Sequence, residues 1–225
     1  MQTIAFHQTM TGGSSEAVKA EEFRDPLLDS PALLGVTMPF EKDEEIYGEG
    51  EKAECIYKVL GGVVRTYNIL QDGRRQIGNF YLPGDLFGLE ADSRHTMSAE
   101  AVANANILVI RRKALTTASQ REPRIMSMLL ACTARELNFA RSHALLLVKT
   151  AQERVAAFLL EMSSRLAGHT VELPMCRQDI ADYLGLTIET VSRTLTQLEN
   201  LHAIEIPSSR RIVLRNPQAL ARLNS

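Results

Sequence analysis

The sequence predicts an α+β chain in which an N-terminal antiparallel β-roll, a long helix and a C-terminal winged helix-turn-helix follow one another. Three observations carry this reading. Turn signals recur about every ten residues between Phe40 and Arg111, a heptad stripe persists from Met126 to Leu147, and two short helical patterns meet at a tight turn between Gln178 and Asn200. At 225 residues the chain is long enough for two modest cores and a connector. We divide it into an arm over residues 1–30, a β-roll over 31–115, a dimerisation helix region over 116–149 and a winged helical domain over 150–225.

Residues 1–30 are polar and acidic, contain Gly12-Gly13-Ser14-Ser15, and read as a mobile arm. The β-type runs that follow, such as Ile56 to Leu60 and Val63 to Tyr67, are separated by Gly61-Gly62, Asp72-Gly73 and Pro83-Gly84-Asp85, which are turn formers. From Pro123 to about Lys149 nothing interrupts a helix. Met126, Leu130, Thr133, Leu137, Ala140, Ala144 and Leu147 alternate spacings of four and three, the a/d seam of a coiled coil. A second stripe, Leu129, Cys132, Phe139 and Leu146, is available to cover the β-domain, so the first seam calls for a parallel helix from a second copy. Residues 151–168 predict a further amphipathic helix (Val155, Phe158, Leu159, Met162, Leu166) that ends at Gly168.

The second short helix carries Glu189, Ser192, Arg193 and Thr196 at offsets of three, four and seven, on one face. Ile188, Val191, Leu195 and Leu198 form the opposite face and predict its core contact. A helix that packs with one side and presents a polar stripe with the other suits the DNA major groove. There an arginine fork such as Arg193 binds guanine O6 and N7, a carboxylate such as Glu189 accepts from cytosine N4, and a small residue such as Ser192 lies against a thymine methyl. Thr196 is expected at the DNA backbone. Residues 203–206 and 211–214, joined by Pro207-Ser208-Ser209-Arg210, predict a hairpin wing whose Arg210 and Arg211 are suited to phosphate.

The formal net charge of −2 conflicts with a nucleic-acid partner only until it is divided along the chain. Acid is concentrated in the first fifty residues and the remainder is net basic, so phosphate affinity rests on a few placed arginines and on doubling through a homodimer. No apolar run is long enough to cross a bilayer and the N-terminus lacks a signal-peptide pattern, which predicts a cytoplasmic protein with no membrane partner. Cys55, Cys132 and Cys176 are far apart and none pairs at metal-ligand spacing, so no metal or cofactor is expected. No nucleophile stands at an interpretable spacing from a base, which argues against an enzyme. A β-roll regulatory subunit of an enzyme would have no use for a base-reading stripe.

The run from Leu173 to Thr187, Leu-Pro-Met-Cys-Arg-Gln-Asp-Ile-Ala-Asp-Tyr-Leu-Gly-Leu-Thr, followed by Glu189-Thr190-Val191-Ser192-Arg193, closely resembles the DNA-binding domain of the CRP/FNR regulators. The order of β-roll, long helix and wing is similar too, over about residues 31–225. The Glu-x-x-Ser-Arg signature is that of the FNR and FixK branch, and the Leu-Pro-Met run and wing look most like its FixK-like members, regulators of microoxic respiration and nitrogen fixation genes. The resemblance implies a cyclic-nucleotide-binding-like β-roll and a T-T-G-A-T inverted-repeat site read by a homodimeric activator. It also implies DNA-backbone contacts from Arg177 and Thr187, and an RNA polymerase contact for which the loop Gln71 to Arg75 is a candidate. Where cyclic-nucleotide-binding relatives place a phosphate-holding arginine, this chain has His95, with Arg94 one residue away. Neutral histidine does not supply the guanidinium, so the regulator is expected to act without an effector. An FNR-type iron–sulfur cluster is excluded, because residues 1–54 contain no cysteine. A haem- or nucleotide-gated regulator is the competing reading, with His7, His95 and His143 as the available imidazoles.

Cys176 stands where a Ser or Thr would complete a capping box with Asp179. A helix N-terminus, the adjacent Arg177 and the nearby DNA backbone together suit a reactive thiol. Oxidation to an acidic sulfur species would set negative charge against phosphate, which predicts a redox brake on DNA binding. Cys132 and Cys55 are read as buried apolar residues.

Overall fold

The computed structural model describes Leu33 and residues 35–223. The expected arm, residues 1–30, lies outside the described residues. Six strands build the β-roll: β1 (Val36–Phe40), β2 (Glu45–Tyr47), β3 (Cys55–Ile69), β4 (Arg75–Tyr81), β5 (Leu86–Phe87) and β6 (Ser98–Arg111), all paired antiparallel. The central path is β1-β6-β3-β4, with β2 on β6 and β5 on β3. Gly61-Gly62, expected as a turn between two strands, instead lies inside β3, where the β3–β6 register slips between Val59 and Val64. Gly62 has φ +81°, and a Cβ there would lie 2.3 Å from the Asn104 carbonyl oxygen, so the bulge requires glycine. The bulge lets one long strand bend through the roll where a hairpin would have ended it.

Two helices follow the roll, α1 (Arg112–Arg121) and α2 (Pro123–Leu146). Pro123 occupies the first helical turn, where its missing N–H costs nothing. Ile125, Cys132 and Leu146 are buried, and Leu129 and Phe139 are half-buried, so this stripe packs on the same protomer. Ile125 and Cys132 join Ile56, Leu86, Leu108 and Ile110 of the roll in one cluster. The seam residues face outward: Met126, Leu130 and Leu137 are 51%, 70% and 50% exposed, and Thr133, Ala140 and Ala144 are exposed as well. Leu147 is half-buried, beside Gly185.

The C-terminal region contains α3 (Ala151–Arg165), β7 (Thr170–Glu172), α4 (Arg177–Leu184), α5 (Ile188–Asn200), β8 (Ile204–Glu205), β9 (Arg211–Leu214) and α6 (Pro217–Leu223). A capping box between Thr150 and Glu153 starts α3. β8 and β9 form the expected wing hairpin, and β7, which the sequence did not suggest, adds a third strand on β9. Beside a cluster of its own around Tyr47, Phe87 and Ile107, the roll shares a second core with the winged domain. Val63, Ile77, Phe80, Leu82 and Val102 of the roll share one buried cluster with Phe158, Tyr183, Val191 and Leu198. Among the described residues no helix is long and apolar enough to cross a membrane.

The end of α3 departs from expectation in a way that can be tested. Ala167, not Gly168, takes the left-handed conformation (φ +52°), while the Gly168 N–H donates to Ser163 O and the Ala167 N–H to Ser164 O. This is a Schellman turn with an alanine where glycine is preferred. Ala167→Gly is therefore expected to raise the unfolding free energy by roughly 0.5–1 kcal/mol, measured as a higher urea midpoint at unchanged slope.

Candidate nucleic-acid interface

Helices α4 and α5 are joined by Gly185, Leu186 and Thr187. Gly185 has φ +61°, and the Leu186 N–H donates to Ala181 O, closing α4 and turning the chain. Thr187 then caps α5, its Oγ1 accepting from the Thr190 N–H at 3.2 Å. Val191, Leu195 and Leu198 are buried as expected, but Ile188 is exposed and Thr194 takes the fourth core position. Ile188 opens the first turn, ahead of the surface that α4 covers.

The opposite face presents Glu189, Arg193 and Thr196 to solvent, with Ser192 half-buried between them. The Thr196 hydroxyl donates to Ser192 O, which leaves its methyl and oxygen outward. Hydrogen bonds from the Glu189 backbone N–H and from Thr187, with Arg193 one turn on, hold the Glu189 carboxyl below the usual carboxylate range. It is an acceptor at neutral pH. Arg193 is exposed and makes no ion pair among the described residues.

At the other end of the motif Cys176 is the exposed N-cap of α4. The expected box forms mainly through its carboxylate half: Asp179 Oδ2 accepts from the Cys176 N–H at 3.1 Å and from the thiol at 3.2 Å. The thiol is thus a donor to Asp179, and the carboxylate satisfies the helix end that a serine hydroxyl would otherwise help to cap. Arg177 is half-buried beside it. Of the other thiols, Cys132 is buried as expected and receives a contact from Arg135, whereas Cys55 is only half-buried and burial pushes its thiol up.

Asp179 also faces the β-roll. Its Oδ1 accepts from Arg65 Nη1 at 3.1 Å and from Arg75 Nη2 at 2.6 Å, while Arg75 Nε donates to Asp182 at 2.8 Å. Arg75 therefore belongs to an ion network between domains, not to the solvent-facing loop in which the sequence reading placed it. Arg74 stays exposed, paired with Asp72. Two further devices hold the motif. Tyr183 is buried among Phe80, Phe158 and His143, and its carbonyl accepts from Gln76 and meets His143 Nε2 at 2.8 Å. Arg154 donates to Lys149 O, Leu147 O and Leu184 O, tying the end of α2 to the turn of the motif. Asp182, Tyr183, Arg65 and Arg154 were not singled out from sequence.

In the wing, Arg210 and Arg211 are both exposed. Arg210 also lines a cavity of about 240 Å³ with Lys42, Arg65, Arg75 and Cys176, so it stands between the wing and the roll. His95 lies buried inside the roll, stacked on Tyr47 with ring centroids 3.6 Å apart, and Tyr57 and Phe87 continue the stack. Arg94 is exposed and donates to Gly50 O. His7 lies outside the described residues.

Comparison with known proteins agrees with this geometry. A Crp-like helix-turn-helix domain matches residues 153–223 and a cyclic nucleotide-binding domain matches residues 37–122. The nitrogen fixation regulation protein FixK of Azorhizobium caulinodans is 48% identical over 201 residues, covering 86% of this chain and 81% of that protein. Its namesake in Rhizobium meliloti is 38% identical over 210 residues, covering 92% and 95%. The structure of FixK2 from Bradyrhizobium japonicum superimposes with a TM-score of 0.82 at 50% identity, covering 86% of this chain and 98% of that one.

The cap at Thr187 allows structure to be separated from reading. Thr187→Ala is expected to cost about 1 kcal/mol of stability, and Thr187→Asn, which keeps a capping oxygen, to restore most of it in urea titrations.

Proposed function

Because the chain belongs to the CRP/FNR family of DNA-binding transcription regulators, we propose that it is a homodimeric activator of microoxic respiration and nitrogen fixation genes, reading a T-T-G-A-T inverted repeat without a small-molecule effector. The observation that carries this reading is α5 itself, with Glu189, Ser192 and Arg193 outward over buried Val191, Leu195 and Leu198. Arg193 reads guanine, Glu189 cytosine and Ser192 the thymine methyl. Arg177, Thr187, Thr196, Arg210 and Arg211 hold the flanking phosphates. The exposed stripe from Met126 to Ala144 takes the same stripe of a second copy, which sets two reading helices roughly 34 Å apart. The exposed residues Gln71 to Arg74 are offered to RNA polymerase in the cytoplasm.

Effector-free action is supported by the stacked rings of Tyr47, His95, Tyr57 and Phe87, which fill the part of the roll where the resemblance puts the phosphate. A second reading, gating by a small molecule, has one observation in its favour. A cavity of about 750 Å³ lies between the roll, α2, α3 and Tyr183, and the buried Asn79 Oδ1 on its wall has no partner among the described residues. Titration of the pure protein with cyclic nucleotides and with haem separates the two: DNA binding that appears only with ligand would replace the first reading by the second.

Cys176 is the proposed control point. Peroxide converts the thiol to sulfenic acid with release of water, and a second equivalent gives the sulfinic acid, whose charge then faces DNA phosphate. Peroxide is expected to abolish DNA binding of the parent and to spare Cys176→Ser, with anisotropy on labelled operator as the measurement. Equal loss in both proteins would remove Cys176 from the mechanism. Arg193→Ala is expected to weaken binding by on the order of 1–3 kcal/mol and to erase the preference for guanine at its position, read by competition among base-substituted operators.

A further inference from the structure

We propose that Arg65 and Arg75 of the β-roll, with Asp179 and Asp182 of α4, form a latch that positions the reading helix on the roll of its own protomer and so sets the spacing between half-sites. The inference rests on α5 being the reading element. Asp179 and Asp182 are three residues apart and share one face of α4. Arg75 clasps both, Nη2 on Asp179 at 2.6 Å and Nε on Asp182 at 2.8 Å, which fixes the rotation of α4 about its axis. Arg65 Nη1 approaches Asp179 from β3 at 3.1 Å, and its Nη2 is held by Glu100 at 2.7 Å and Asp43 at 3.3 Å, while its buried Nε has no partner among the described residues; the two held nitrogens fix α4 against the sheet.

Burial separates this bridge from ordinary surface pairs. The side chains of Arg65 and Asp179 are 7% and 4% exposed, so each is stranded if the other withdraws, and partial opening is penalised. A surface pair would contribute almost nothing. α4 passes its orientation to α5 through the three-residue turn at Gly185 and through packing of buried Ile180 and Leu184 with Val191 and Leu195. An error in how α4 sits on the roll is therefore an error in where α5 enters the groove. Two such helices in a dimer read a fixed spacing only if both are held; a loose tether accommodates several spacings. Arg65, Arg75, Asp179 and Asp182 are positioning residues on this account and touch no base.

The test uses the full-length protein and a series of inverted repeats with one or two base pairs added or removed between half-sites. The parent is expected to prefer one spacing. In Arg75→Ala that preference is expected to fall at least tenfold while non-specific DNA binding is unchanged, and Asp182→Asn, a milder change, is expected to shift it in the same direction. Arg75→Lys, which keeps a positive charge against Asp179 and Asp182 but loses the fork, is expected to recover part of it. A folded, dimeric Arg75→Ala that keeps the parent's spacing preference within twofold overturns the latch; should Arg75→Ala not fold, Asp182→Asn decides by the same criterion. Hydrogen exchange on the DNA-free protein keeps the latch separable from the base reading. If the parent binds no inverted repeat yet Arg75→Ala or Asp182→Asn speeds exchange in β4 and α4 together, the base reading and the role in spacing fail while the attachment of α4 to the roll stands. Unchanged exchange in both elements overturns the latch.

Discussion

The placement of the helix-turn-helix depends on one buried carboxylate. Asp179 accepts from the N-terminal amide of its own helix, from the Cys176 thiol, and from two arginines more than a hundred residues earlier in the chain. Charges so far from water are costly unless every lone pair has a partner, and here both carboxylate oxygens are engaged. The same group therefore starts α4 and attaches it. A serine at position 176 would contribute a hydroxyl to the cap without altering the bridge, since the Asp179 contact to the amide remains.

Around this bridge the apolar core runs without a break from the roll into the winged domain. Tyr183 is its centre, with Phe80 from β4, Phe158 from α3 and His143 from α2 against its ring. Burial pushes the Tyr183 phenol upward and keeps His143 below the usual imidazole range, so both stay neutral at physiological pH. Arg165 adds an outer strap, donating to Phe80 O and to Asp85 across the boundary. A neutral aromatic centre ringed by charged straps suits a domain junction: area supplies the cohesion and the ion pairs supply the direction.

Local pattern made the elements legible and long-range pairing did not. The period of three and four from Met126 to Leu147 identified α2 and its outward stripe, because helical faces are written within two turns of sequence. The polar stripe of α5 was visible for the same reason, apart from Ile188, whose exposure depends on where α4 ends. Gly61-Gly62 was misread because a bulge and a turn share the same residues, and only the partner strand distinguishes them. Glycine is the usual left-handed cap, so the pattern points to Gly168, and alanine rarely adopts the conformation that Ala167 has. Of the interface, Asp179 is marked in the sequence by its capping spacing from Cys176 alone. Arg65, Arg75 and Asp182 carried no signal, since nothing near an arginine announces an aspartate a hundred residues away.

That separation has a consequence for how the protein is made. Arg65 and Asp179 are 114 residues apart, so at ordinary translation rates of about 5–20 residues per second Arg65 leaves the ribosome on the order of ten seconds before its third carboxylate neighbour exists. In that interval Arg65 has Glu100 and Asp43 for company, and the apolar face formed by Ile77 and Phe80 has nothing yet to cover it. Until then the apolar face of the roll is exposed, while the Arg65 charge is already met by two carboxylates. The helices that follow, α3 to α5, cover that face, so the roll buries its apolar surface only once the winged region has been made.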